Sequence, residues 1–289
     1  IPVHGWWRDK KRGFIPMEAH ILRTLDHEGV VKFFDLFEDS EFFYLVMECA
    51  GTPFVRPDEN SLPPPTSVFE TVRKAAEAPA PLPTRCSSPA RGDGSEPTLP
   101  HVSATRNREK HRRESQDLFE CIERNPGLSE GIVHRIFVQV ARAVAYMHES
   151  GFVHRDIKDE NIVVDSQLRV KLIDLGCSAP IPRTPHAYFK SFEGTLHSAA
   201  PEALRGEPHK GPQQDVWALG VLLYTLAFGC PPFRDPEQAA TGVFCVPMSV
   251  RSNGLVTLLR KMLCVELEER CAMGEVLEHE WVVGGGSRG

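Results

Sequence analysis

The residues best suited to chemistry lie in one octet, His154-Arg155-Asp156-Ile157-Lys158-Asp159-Glu160-Asn161, followed by Asp174-Leu175-Gly176 and then by Ala200-Pro201-Glu202. The octet holds a carboxylate that can take a proton from a hydroxyl, a lysine two residues later, and an amide; Asp174 adds a second hard oxygen donor. Proton acceptance, compensation of negative charge and coordination of a Mg²⁺-like cation together serve the movement of a phosphoryl group. In that reaction the protein contributes positioning and electrostatics more than covalent chemistry. Each residue alone would pass for a charge on a surface loop; the ordered set is far harder to explain that way.

In order and separation these segments resemble the protein-kinase signature set: H-R-D-x-K-x-x-N, a D-F-G variant and A-P-E. The resemblance implies an α+β, two-lobed kinase fold with an incomplete N-terminal β lobe and a complete helical C lobe. It implies ATP and Mg²⁺ as cofactors and Ser/Thr-bearing proteins as substrates, since a lysine two residues after the catalytic aspartate is similar to the serine/threonine kinases. Asp156 is then the catalytic base, Lys158 faces the γ-phosphoryl group, and Asn161 and Asp174 hold the metal. Glu18 falls at the helix C glutamate, Met47 and Glu48 at the gatekeeper and first hinge positions with Ala50 just beyond, and Val163 at the floor of the adenine site. His154, Leu22, Phe33 and Leu175 fit the apolar spine, and Asp215, Trp217 and Gly220 the helix that anchors the catalytic loop. Arg270 is placed to pair with Glu202. Arg155 implies control through the segment from Asp174 to Glu202, with Ser191 as a phosphosite and Thr195 as the threonine bonded to the catalytic loop. I-K-D-E-N-I-V, K-L-I-D-L-G and G-P-Q-Q-D-V-W-A-L-G-V-L-L-Y-T-L are most similar to the PAS-domain-containing kinases of the calcium/calmodulin-kinase branch. Glu160 could favour a basic residue near the acceptor, or could serve structure alone.

The elements that must position these residues are legible as patterns. Pro16 to Leu25 has helical spacing of apolar residues and stops at Asp26-His27-Glu28-Gly29. Two β-rich runs, 30–37 and 42–48, flank an acidic tip that predicts a hairpin. Val133, Phe137, Val140, Val144 and Met147 form one stripe on a long helix ending at Gly151. Short strands are expected at 162–164 and 170–173, and helices from Asp215 to Trp281. Between Pro53 and Pro100 lie 11 of the 24 prolines, followed by a basic run to Arg113. Such a stretch cannot bury enough apolar surface to offset its ordering entropy. The division expected is therefore a remnant N lobe over 1–52, a disordered insertion over 53–114, a C lobe over 115–283 and a tail over 284–289.

Composition narrows the function classes. With 33 Lys plus Arg against 39 Asp plus Glu, the net charge of −6 gives no basic face for nucleic acid. Val216 to Phe228 is the longest mostly apolar stretch, too short for a membrane span and suited to a helix buried all round. Eight cysteines form no C-x-x-C pair, which predicts free thiols in a reducing, cytoplasmic or nuclear compartment. No Gly-rich loop or V-A-x-K strand is present; the family's lysine would fall just before Ile1, and Lys10 and Lys11 lie too close to Glu18 to replace it. Ile1 is therefore expected to be a cut, and weak ATP binding and transfer are expected from this stretch alone. Leu196-His197-Ser198 also replaces bulkier residues common ahead of A-P-E. A pseudokinase or regulatory binding module is the alternative, and a small-molecule phosphotransferase fits less well, because it would lack the A-P-E segment and the Asp215 helix.

Overall fold

The computed structural model describes residues 5–50, 117–125, 127–182, 188–247 and 252–284. The insertion expected over 53–114 and nearly all of the tail, 285–289, lie outside these residues. The chain opens with a hairpin, β1 (Trp6–Asp9) and β2 (Gly13–Pro16), paired from Trp6 with Pro16 to Asp9 with Gly13. Its turn is organised by Asp9, whose Oδ1 accepts the Lys11 and Arg12 amides at 2.8 and 3.0 Å. Sequence pattern assigned no element to this stretch, because the strands are short and the turn is crowded with charge. Lys10 and Lys11 lie in that turn.

Strand β2 runs without a connecting loop into α1 (Met17–Thr24), which buries Ala19, Ile21 and Leu22. The expected hairpin follows as β3 (Phe33–Glu38) and β4 (Phe43–Met47), its tip closed by the Asp39 carboxylate accepting the Glu41 and Phe42 amides. One boundary differs from expectation. Val30 and Val31 leave the hairpin, because their backbone partners lie in a strand of the other lobe: Val31 N–H donates to the Leu172 carbonyl at 3.0 Å, and Leu172 N–H to Gly29 at 2.8 Å.

After residue 117 the chain is mainly helical. The early elements are α2 (Leu118–Arg124), α3 (Glu130–Glu149), β5 (Phe152–Val153), a 3-10 turn Asp159–Asn161, β6 (Ile162–Val164), β7 (Val170–Leu172) and β8 (Ala179–Pro180). The strands pair as β5 with β8 and β6 with β7. The helices α4 (Pro201–Leu204), α5 (Gly211–Phe228), α6 (Pro236–Thr241), α7 (Asn253–Met262), α8 (Met273–Glu278) and α9 (Glu280–Val283) complete the lobe. The stripe on α3 is fully enclosed, and α5 is buried on nearly every side as its apolar run predicted. One core runs from α1 to α9, and a small separate cluster, Ile15, Ala19 and Leu36, lies beneath the first hairpin. Strand-rich first and helical after is the α+β, two-lobed arrangement. Among the described residues no helix is long and apolar enough to cross a membrane.

Helix α5 passes so close to the end of α7 that a Cβ at Gly220 would lie 2.9 Å from Leu263 Cδ2 and 3.0 Å from Met262 Cβ. Gly220→Ala gains about 1 kcal/mol of helix propensity, but overpacking a tight core costs about 1–3 kcal/mol. We expect a net loss of about 1 kcal/mol, measurable by urea denaturation; unchanged or raised stability would mean that Leu263 and Met262 yield freely.

Candidate active site

Asp215, fully buried on α5, shapes the start of the octet. Its carboxylate accepts the backbone N–H of His154 at 2.9 Å and of Arg155 at 2.8 Å, and His148 Nε2 lies 2.8 Å from the same group. These bonds hold Arg155 at a φ of 70°, a conformation most side chains avoid. Asp174 has a φ of 58° and is steadied by its own Oδ1 accepting the Gly176 amide at 3.1 Å. His154 is entirely enclosed; burial pushes its imidazole below the usual histidine range, against the pull of Asp215, Asp156 and Asp174. Its Nδ1 accepts the Asp156 amide at 3.3 Å.

Asp156 is fixed from two sides. Its Oδ1 accepts Thr195 N–H at 2.8 Å, and its Oδ2 accepts Asn161 Nδ2 at 3.1 Å, while the same Asn161 nitrogen donates to the Asp156 carbonyl at 2.9 Å. Both Asn161 bonds leave from Nδ2, so Oδ1 is the atom left for a hard cation. Lys158 Nζ donates to Thr195 Oγ1 at 3.0 Å and lies 3.6 Å from Asp156 and 3.0 Å from Glu160. Burial alone would lower the Lys158 pKa, but the Glu160 and Asp156 carboxylates hold it above the ordinary lysine value. Gly194 lets the two segments meet: its φ is 136°, and a Cβ there would collide with the Arg155 carbonyl oxygen.

Glu18 and Asp174 approach each other across the lobes. Burial, with the Asp174 charge beside it, raises the Glu18 carboxyl above its usual range, although the Leu175 amide opposes this. Met47, Glu48 and Ala50 lie together at the end of β4 and just beyond. Val163 is half-buried in β6, bridged to Asp117 where the chain returns. Glu48 is tied down by an ion pair of 2.6 Å to Lys171 on β7 and by the Lys32 amide at 2.7 Å. Lys171 was not among the residues expected at the site, since a lone lysine in a short strand carries no signal of its partner.

Arg155 meets the segment between Asp174 and Glu202 at three points. Its guanidinium lies 3.5 Å from the Glu193 carboxylate, donates to the Ser191 carbonyl at 3.2 Å and covers the Phe189 ring at 4.6 Å. Ser191 reaches it through its backbone carbonyl, while the nearby carboxylate belongs to Glu193. An acidic residue directly ahead of Gly194-Thr195 was the available clue. A cavity of about 490 Å³ adjoins this cluster, between the start of α1 and the segment carrying Phe189 and Glu193. Farther out, Arg270 and Glu202 form a bidentate pair at 2.7 and 2.8 Å, their side chains essentially solvent-free.

Among the described residues no group of three or more His, Cys, Asp or Glu could hold a metal unaided. The segments carrying Asn161 and Asp174 lie side by side, the Ile173 N–H donating to the Asn161 carbonyl at 2.9 Å.

Residues 111–282 match the family described as protein kinase domain. The chain is 32% identical over 277 residues to the PAS domain-containing serine/threonine-protein kinase of Mus musculus, covering 96% of this chain and 15% of that protein. It is 31% identical over 284 residues to serine/threonine-protein kinase ppk6 of Schizosaccharomyces pombe, covering 97% and 28%. To serine/threonine-protein kinase PSK2 of Saccharomyces cerevisiae it is 31% identical over 286 residues, covering 98% and 20%. The chain thus spans less than a third of the length of each of these relatives.

Proposed function

The chain belongs to the protein kinase family, and from that premise we propose that it transfers the γ-phosphate of ATP to Ser or Thr hydroxyls of protein substrates. The observation that carries this reading is the cluster of Asp156, Lys158, Asn161 and Thr195, whose hydrogen bonds hold a carboxylate, an ammonium and an amide together. Asp156 orients the acceptor hydroxyl and takes its proton late in the transfer. Lys158 offsets charge on the moving phosphoryl group. Asn161 and Asp174 would hold Mg²⁺, which supplies compensation of phosphate charge. Met47, Glu48, Ala50 and Val163 would border the nucleotide. The relatives are named as serine/threonine-protein kinases, and a pseudokinase or regulatory module finds no support among them.

The proposed division is an N lobe within 1–52, an insertion over 53–114, a C lobe over 115–283 and a tail from 284. The free thiols at the described cysteines favour a cytoplasmic or nuclear setting. The activity is tested with γ-labelled ATP and a mixed peptide library, using the full-length protein that carries this chain. Label recovered as phosphoserine or phosphothreonine is expected; none above an Asp156→Asn control would overturn the proposal.

We also propose Ser191 as a regulatory phosphosite. A phosphate there would add about two negative charges beside Arg155, in competition with Glu193. Ser191→Ala and Ser191→Asp are expected to change activity in opposite directions, by a few-fold. Equal activity of both with wild type would sink this assignment and leave Glu193 as the residue serving Arg155.

A further inference from the structure

The hairpin of residues 6–16 carries none of the groups assigned to phosphoryl transfer, yet it is bonded to elements on both sides of itself. Toward α1, the Trp7 indole stacks on the His20 ring with centroids 3.9 Å apart and planes 5° from parallel. Asp9 Oδ2 accepts Arg23 Nη2 at 2.5 Å, and its other oxygen is held by the turn amides, so the carboxylate is fixed before it meets the helix. Toward the sheet, the Arg12 guanidinium donates to the Leu36 carbonyl and lies 3.6 Å from Asp35, and Trp6 meets Phe43 edge-on at 5.6 Å. Ile15 is 1% exposed, wedged in the small cluster with Ala19 and Leu36.

The mechanical coupling is direct. Pro16 is both the last residue of β2 and the cap of α1, and Glu18 is the second residue of the helix. A helix of eight residues has little stability of its own, so packing decides where it lies. We propose that the β1–β2 hairpin is a clamp that fixes α1 against the β3–β4 sheet and so sets the place of Glu18 beside Asp174, with Trp7, Asp9 and Arg12 as positioning residues. Only its consequence for catalysis rests on the kinase reading.

The Asp9–Arg23 pair is partly exposed and contributes little alone, so the test removes two contacts together. In the full-length protein, Trp7→Ala with Arg23→Ala is expected to accelerate amide exchange across Met17–Thr24 about tenfold, with α3 unchanged. Because small displacements of a positioning group are costly to catalysis, kcat/KM for ATP should fall about tenfold, with KM for peptide unaltered. Trp7→Phe with Arg23→Lys should recover most of both. Exchange unchanged in α1, exchange rising equally in α3, or faster α1 exchange with normal kcat/KM for ATP would each overturn the clamp. If wild type transfers no phosphate, exchange alone decides: acceleration confined to α1 supports the clamp while the kinase reading fails.

Discussion

Asp156→Asn, in the full-length protein that carries this chain, is expected to lower kcat for peptide phosphorylation by about a hundredfold to ten-thousandfold, with KM for peptide little changed. The substitution keeps the shape of the side chain and one acceptor oxygen, so the Thr195 amide at 2.8 Å can still be received. What disappears is the charge and the second acceptor, which now receives Asn161 Nδ2 at 3.1 Å; an amide NH₂ turned toward that donor cannot replace it. Loss of one hydrogen bond to a charged group costs about 1.5–3 kcal/mol of stability, which lowers the melting temperature but does not slow the step in the molecules that stay folded. A base used only in the transition state affects kcat and kcat/KM alike. Steady-state kinetics with a thermal melt separate the cases: a kcat within threefold of wild type would remove Asp156 from the proposed base role, and a collapsed melting temperature would make it structural.

Arg270→Ala is expected to destabilise the C lobe by about 3–5 kcal/mol, because it leaves the Glu202 carboxylate buried without its partner. The pair is bidentate at 2.7 and 2.8 Å, and Arg270 also donates through Nε to the Cys264 carbonyl at 2.9 Å and stacks its guanidinium over Trp217 at 5.0 Å. One side chain therefore joins the loop before α8 to α4 and α5. Replacing both charges, Arg270→Met with Glu202→Leu, should restore much of the loss, since most of the single-variant cost is desolvated, uncompensated charge. Chemical denaturation of wild type, Arg270→Met, Glu202→Leu and the double variant closes a double-mutant cycle that gives the coupling directly. If the Arg270→Ala loss stays under 1 kcal/mol, the pair contributes nothing of consequence, and water must reach Glu202 in the variant.

The two predictions differ in how far the sequence alone could support them. Asp156 stands in an octet whose order carries its own meaning, so its chemistry was readable before any fold was known. Arg270 could be assigned to Glu202 only through resemblance, because 68 residues separate them and neither has a local pattern that names the other. Helix α3 and the β3–β4 hairpin were legible because periodicity and turn composition are properties of adjacent residues. The β1–β2 hairpin was not, since four-residue strands rich in charge and aromatic rings give no clear alternation. The β-like run at Val30 and Val31 was legible as extended chain, but not its partner, which belongs to β7.

By itself, then, the sequence determined the chemical set, the order of strands before helices, and the segments able to form them, because each of these is encoded over a few residues. Tertiary structure alone decided who meets whom. It placed the Glu193 carboxylate and the Ser191 carbonyl beside Arg155, joined Glu48 to Lys171, and set the first hairpin between α1 and the sheet. Those pairings join residues brought close by packing, and the energies that select them exist only after the core has closed around them.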